Sequence, residues 1–415
     1  MKCPKCGAEV RDGAKYCGSC GGKMPSRSVG GTLLAVMKIL ACVLIMTLCQ
    51  ACVMTVYEAN VIVNDKDFVN GIQSVVTETT EEEGGPGYTA SDSFTDYVMK
   101  VSASLLEEIM KHLSSITLLG NLITVLVILL GLRIRKHEPL KSLRFRMCNP
   151  GRLVTFLLFG AALNIIVSCV ISMIPWPAEI IETFSDQYSG FYLGGDSVFV
   201  QVLSVGIATP ILEEMIFRAF AMTHLKPAAG KSAAIVISAV IFALAHYAFT
   251  PGSFIAVGYA FLIGLLFAAM FDKYDSIIPS VLCHMGFNLI TFVKFNDEGT
   301  VPAYVIAIAV FASVFCAYRI FFRYPTFSDV LFDTAHIKPI NGEEERIVSR
   351  ISEIKNGEEE PDREEIEALE REWIMNRQEE RARIKLKTDD PHGTCSENGE
   401  KDDNNDKSNG NGTEE

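Results

Sequence analysis

ATPILEEMIFRAFAM, residues 208–222, decides what kind of protein this is. It sits in an apolar run, 198–224, long enough to cross a hydrocarbon core of ~30 Å, yet it carries Glu213, Glu214 and Arg218. Ionisable side chains at that depth cost on the order of 3 kcal/mol each on insertion scales, and they usually face a protein interior or a wet cavity. Two further runs break the same rule. FALAHYAF, residues 242–249, ends the run 233–249 with Phe242 and His246, and SVLCHMGFNLI, residues 280–290, puts His284 and Asn288 in the run 276–293. Glu214 and Arg218, Phe242 and His246, and His284 and Asn288 are i, i+4 pairs, so each pair shares one helix face. At ~1.5 Å per residue from span ends taken near Leu225, Lys231 and Ser276, Glu213, His246 and His284 lie about 18, 22 and 12 Å into the apolar layer, which allows one common pocket.

Outward from these runs the chain keeps the same character. The stretches 32–56, 115–132, 153–174, 254–271 and 301–321 also read as spans, giving about eight transmembrane helices. Hydrophobic residues make up 49 % of the chain, and they are gathered into these runs rather than dispersed as in a soluble domain. The expected fold class is an all-α polytopic membrane protein. The 133–152 connection holds Arg133, Arg135, Lys136, Lys141, Arg144, Arg146 and Arg152 against Glu138 alone; 58–114 has eleven acids to three bases, and 175–197 has four acids and no Lys or Arg. By the positive-inside rule the 133–152 loop is cytoplasmic, and eight spans then put both chain ends in the cytoplasm. A helical stretch from about Ser91 to Lys111 is expected within the extracytoplasmic segment 57–114.

Residues 1–24 differ from everything that follows. Cys3 and Cys6 form one CxxC pair and Cys17 and Cys20 a second, each followed by a glycine (Gly7, Gly21) that lets the backbone turn sharply under a sulfur. Four thiolates in two knuckles suit a tetrahedral, structural Zn2+; the competing reading is a pair of redox disulfides. So short a segment has no apolar core, and metal binding would supply most of its folding energy. It resembles the short zinc ribbons found at the ends of many bacterial membrane proteins, which places the protein in a bacterial cell membrane. Because the ribbon precedes it, the 32–56 run is expected to be a span and not a cleaved leader. At the other end, 25 acidic and 13 basic residues follow from Asp333. That excludes a basic nucleic-acid binder. Ile347, Ile351 and Ile354, then Ile366, Leu369 and Trp373, set helical spacing in a charged cytoplasmic tail over 323–388, and 389–415 has the composition of a disordered end. The ribbon or the acidic tail could each serve as a docking module for a protein partner.

EExxxR (Glu213–Arg218), FxxxH (Phe242–His246) and HxxxN (His284–Asn288), in that order on separate apolar helices, resemble the signature of the CPBP family, the type II CAAX prenyl protease and bacteriocin-processing group of intramembrane endopeptidases. The resemblance is close over roughly 195–295 and loose over the rest of the helical core, 115–322; Ala219 stands where the family often has glycine. It implies hydrolysis of a peptide or membrane-protein substrate at the bilayer. The residues themselves suit that chemistry. Glu214 can pair with Arg218, while Glu213 points about 100° away around the helix and escapes that partner. Glu213 and His246 would activate a water, His284 and Asn288 would stabilise the oxyanion, and Arg218 and Glu214 would hold the pocket in shape. A metal-assisted variant, with a catalytic divalent metal held by His246, His284 and a glutamate, is left open by the residues alone. The alternatives of another class are a catalytically idle scaffold or immunity factor and, with less support, a proton-coupled transporter.

Overall fold

A computed structural model describes residues 28–64, 90–192, 195–249, 252–295, 301–323, 326–332, 339–355 and 363–389, with a few isolated positions within 10–22 and 66–73. Among the described residues the fold is helical throughout, without a strand. The first compact unit runs to His336. Besides the single turn Pro139–Ser142, its α-helices are α1 (Val29–Asn64), α2 (Ala90–Lys111), α3 (Leu113–Ile134), α4 (Pro150–Met173), α5 (Ala178–Tyr192), α6 (Val198–Ala229), α7 (Lys231–Phe249), α8 (Phe254–Tyr274), α9 (Ile278–Leu289), α10 (Ala303–Phe322) and α11 (Phe327–Phe332). Six of them (α1, α3, α4, α6, α8 and α10) are long and apolar enough to cross a membrane, and two shorter apolar helices, Lys231–Tyr247 and Ile278–Phe292, complete the set. This is a polytopic membrane protein. The acidic 175–197 connection is not a plain loop, since it contains α5.

The spans are buried to different extents. Half of the most apolar window of α6 and of α8 is buried within the protein, against 17 % for α1 and 22 % for α3 and α10, so the outer helices screen the inner ones from lipid. Glycine sets how closely α9 can lie on α4. A Cβ on Gly160 would overlap the Cys283 carbonyl, and one on Gly286 would overlap the Leu157 carbonyl. Without a hydrophobic force between helices in lipid, such backbone-to-backbone contact is what makes packing favourable. Gly264 of α8 does the same for α7, with its missing Cβ 3.2 Å from the Ala239 Cα.

Charges fasten the bundle at one end. Asp275, in the left-handed region at φ 45°, turns the chain from α8 into α9. It takes an ion pair from Arg144 at 2.7 Å, while Ser276 donates to the Arg146 carbonyl at 2.7 Å. Lys226 of α6 and Lys231 of α7 both grip Asp272 of α8. Asp329 of α11 accepts from Asn149 at 3.0 Å, from the Thr326 N–H at 2.7 Å and from Arg152, whose other amino group donates to Tyr274. At the opposite end Asp196, ahead of α6, accepts from the Ser115 N–H and hydroxyl at 2.8 and 2.6 Å and so fixes the start of α3.

The second compact unit begins at Ile337. Its described helices, α12 (Gly342–Lys355) and α13 (Arg363–Asp389), bury Ile347, Ile351, Leu369 and Trp373. Of the expected disordered end, 389–415, Asp389 closes α13 and 390–415 lies outside the described residues.

Candidate active site

Helix α6 is not a regular α-helix, and its irregularity places the acidic pair. Two wide π turns, Val202–Ala208 and Met215–Phe220, flank the six-residue α segment Thr209–Glu214. π turns of this kind are frequent at functional sites. Pro210 opens the central segment, and Ser238 of α7 donates to the Phe217 carbonyl at 2.6 Å beside the second wide turn.

Glu214 and Arg218 are fully buried, with Arg218 Nε 3.3 Å from Glu214 Oε2. The guanidinium carbon lies 4.4 Å from the centre of the Phe242 ring and 5.4 Å from that of Phe267. Desolvated cation–π contacts of this kind are worth about 2 kcal/mol or more. Among the described residues no protein group accepts from Arg218 Nη1 or Nη2. Both glutamates meet on His284: its Nδ1 is 3.3 Å from Glu214 Oε1 and its Nε2 is 3.6 Å from Glu213 Oε2. Glu213 therefore does not stand apart from its neighbour, because one imidazole spans the angular gap between them. His284 is itself wedged against Phe267, with ring centres 4.9 Å apart.

His246 turns its Nδ1 to the Phe242 carbonyl at 3.0 Å. A carbonyl only accepts, so this nitrogen carries the proton and, in the neutral ring, Nε2 carries the lone pair. The Phe242 ring centre is 4.5 Å from that of His246 and 6.1 Å from that of His284. The phenylalanine of the second motif is thus the shared floor of both histidines and of Arg218. Asn288 donates from Nδ2 to the Val205 carbonyl at 2.8 Å.

Glu213, His246, His284 and Asn288 line one cavity of about 540 Å³. Its walls come from α1, α3, α4, α5, α6, α7, α8 and α9 and are mostly apolar, with a polar rung at one side. There Gln50 of α1 donates to Asn121 of α3 at 3.0 Å, and Asn121, 2 % exposed, donates to the Thr209 hydroxyl at 2.8 Å. Thr209 is one helical turn before Glu213. Neither Asn121 nor Gln50 was singled out from the sequence, although each is a polar residue in an apolar run and carries the same signal as the motifs. Phe267 carried none.

Residues 195–290 match the model of the family described as Type II CAAX prenyl endopeptidase Rce1-like. The chain contains an Rce1-like segment. It spans α6 to α9, the helices that carry all three motifs, and is the family expected from them. Residues 2–24 match the zinc-ribbon domain model. No curated protein and no solved structure matches the chain. An Rce1-like segment in a chain of membrane-length helices supports an intramembrane protease kind. Outside that segment, Gln50 and Asn121 contribute to the cavity from helices the family model does not reach.

The two metal questions separate here. Among the described residues no three His, Cys, Asp or Glu side chains are grouped to hold a metal ion. His246 and His284 each turn Nδ1 to an acceptor, the Phe242 carbonyl and Glu214, which leaves Nε2 as the ring atom that would meet a metal. In the ribbon, Cys3, Cys6 and Cys17 lie outside the described residues, and Cys20 is half-buried in a turn. Its donor set, two CxxC pairs, fits zinc.

Proposed function

We propose that this protein is an integral-membrane endopeptidase whose water is activated by Glu213 and His246. The observation that carries the reading is the meeting of Glu213 and Glu214 on His284 in a cavity that His246 and Asn288 also line. Glu213 takes a proton from a water that His246 holds through Nε2, and the water oxygen bonds to the scissile carbonyl carbon. His284, oriented by Glu214 at Nδ1, turns Nε2–H toward the oxyanion; the second N–H of Asn288 provides the other donor. As the carbonyl re-forms, the C–N bond breaks and Glu213 passes its proton to the departing amine. Arg218, held over Phe242 and Phe267, keeps Glu214 in place.

The same reading assigns the ribbon thiolates Cys3, Cys6, Cys17 and Cys20 to one structural zinc ion. It also places the basic 133–152 loop, the ribbon and the tail in the cytoplasm. Comparative proteomics of membranes holding wild type or Glu213→Gln tests the enzyme: at least one polypeptide should persist uncut with the variant. Identical profiles, with both proteins present at equal level, would sink the endopeptidase and favour a scaffold, which should instead fail on Cys3→Ser.

A further inference from the structure

Asn288 is held by a carbonyl that the chain itself leaves without a backbone donor. In the first wide turn of α6 the Thr209 N–H reaches back five residues to the Ser204 carbonyl. In that register the next carbonyl, Val205, would take its hydrogen bond from the N–H of residue 210. That residue is Pro210, which has none. An unsatisfied carbonyl inside a membrane protein is costly, and here Asn288 Nδ2 fills it from α9 at 2.8 Å. The neighbouring residue lets α9 come this close: a Cβ on Gly206 would lie 2.6 Å from Leu289 Cδ2. An asparagine amide has two N–H groups and a rotatable end. Fixing one N–H on Val205 sets the plane of the amide and hence the direction of the other.

We infer that Pro210 is a positioning residue: by withholding the backbone N–H due to Val205, it turns that carbonyl into the anchor that aims Asn288 into the cavity. The catalytic part of this rests on the function proposed above; the anchoring part does not. Any residue with an N–H at 210 would satisfy Val205 from within α6 and release Asn288.

The test is a thermal-unfolding cycle in nanodiscs on the full chain: wild type, Pro210→Ala, Asn288→Ala and the double variant. Asn288→Ala alone strips the last donor from Val205 and should lower the Tm by several degrees. In the Pro210→Ala background, where the 210 N–H covers the carbonyl, the same substitution should cost less than half as much. Equal losses in the two backgrounds would overturn the inference, because a proline acting only as a bend in α6 predicts additivity. Pro210→Ser restores the same N–H and repeats the cycle should the alanine variant not fold. On the polypeptide left uncut by Glu213→Gln membranes, Pro210→Ala should lower kcat about tenfold with KM unchanged, a loss that requires a transition-state contact. An unchanged kcat in a cleaving protein overturns the catalytic half. A wild type that cleaves nothing overturns the proposed function and that half with it, while the thermal cycle still decides the anchoring.

Discussion

Among the described residues two glutamate–arginine pairs are buried, and they are finished differently. In the tail unit, Glu344 is fully buried against Arg377, whose Nη2 donates to Oε2 at 2.9 Å; the Ile340 N–H gives the same oxygen a second bond at 2.9 Å. Arg377 Nε also contacts Oε1, and the guanidinium rests 4.9 Å from the centre of the Trp373 ring. Asn341 and Asn376 exchange amide hydrogen bonds alongside. All these bonds close within α12, α13 and the turn before them. The pair in α6 has the same charges, but Glu214 gives one oxygen to Arg218 and the other to His284, a ring that lines the cavity. The tail pair is a lock; the membrane pair passes its charge on to a group that can meet a substrate.

The largest effect should follow from breaking the membrane pair. Arg218→Met leaves Glu214 buried without its cation, which costs about 3–5 kcal/mol by the usual penalty for orphaning one partner. Folded yield in detergent and cleavage should both collapse. Adding Glu214→Gln to Arg218→Met removes the second charge and should restore much of the folded yield, measured by monodisperse elution, yet leave cleavage absent. Recovery of cleavage in that double variant would show that the pair in α6 is only a lock as well.

Breaking the tail pair should separate stability from function. Arg377→Met carries a local penalty of the same order, about 3–5 kcal/mol. Hydrogen exchange should rise across α12 and α13 while α6 to α9 keep their protection and cleavage keeps its rate. A fall in cleavage of more than about threefold, roughly 0.6 kcal/mol on the barrier, would mean that the tail lock reports to the membrane site.

What the sequence discloses follows the same division. Glu213, Glu214, Arg218, His246, His284 and Asn288 stand out because apolar runs make any charge or amide conspicuous, and i, i+4 spacing assigns the faces. That α9 is short and lies within the bundle follows from Gly160 and Gly286, two glycines whose partners in space are more than a hundred residues away. Apart from Pro210, the wide turns of α6 leave no mark in residue types. Their effects, Glu213 sharing His284 with Glu214 and Asn288 reaching Val205, were therefore out of reach. Glu344 and Arg377 were equally hidden, since a charge in a charged tail does not announce that it is buried. That is why the tail discloses its helical spacing and not the ion pair packed inside it.

A third acid–base contact, at the end of the bundle, gives a smaller effect with a defined pH sign. Burial pushes the Asp329 carboxyl up, but hydrogen bonds from the Thr326 backbone and hydroxyl, the Arg152 charge and the Asn149 amide outweigh it and hold the group below the usual carboxylate value. A group depressed in the folded state contributes its full stability above the unfolded value of about 4 and loses it as pH falls through the folded one. The midpoint of thermal unfolding should thus drop more steeply below about pH 4 in wild type than in Asp329→Asn, which has nothing there to titrate. Parallel curves would mean that Arg152 and Asn149 position α11 without binding the carboxylate more tightly than water does.

The smallest effect tests whether a neutral polar contact in the membrane behaves like either charged pair. Gln50→Leu deletes the hydrogen bond to Asn121 and leaves a side chain of similar size. Measured interhelical hydrogen bonds in membrane proteins average about 0.6 kcal/mol, so the Tm should shift by no more than a degree or two. Gly120 sets the comparison. Its missing Cβ would lie 2.9 Å from Gln50 Cγ and 3.3 Å from Gln50 Cα, so Gly120→Val forces α1 and α3 apart and should cost several times more. If Gln50→Leu proves the worse of the two, α1 is held on the bundle by the Gln50–Asn121–Thr209 rung rather than by close backbone packing. That rung would then belong with the membrane pair, as a polar contact through which the outer helix bears on the turn that carries Glu213.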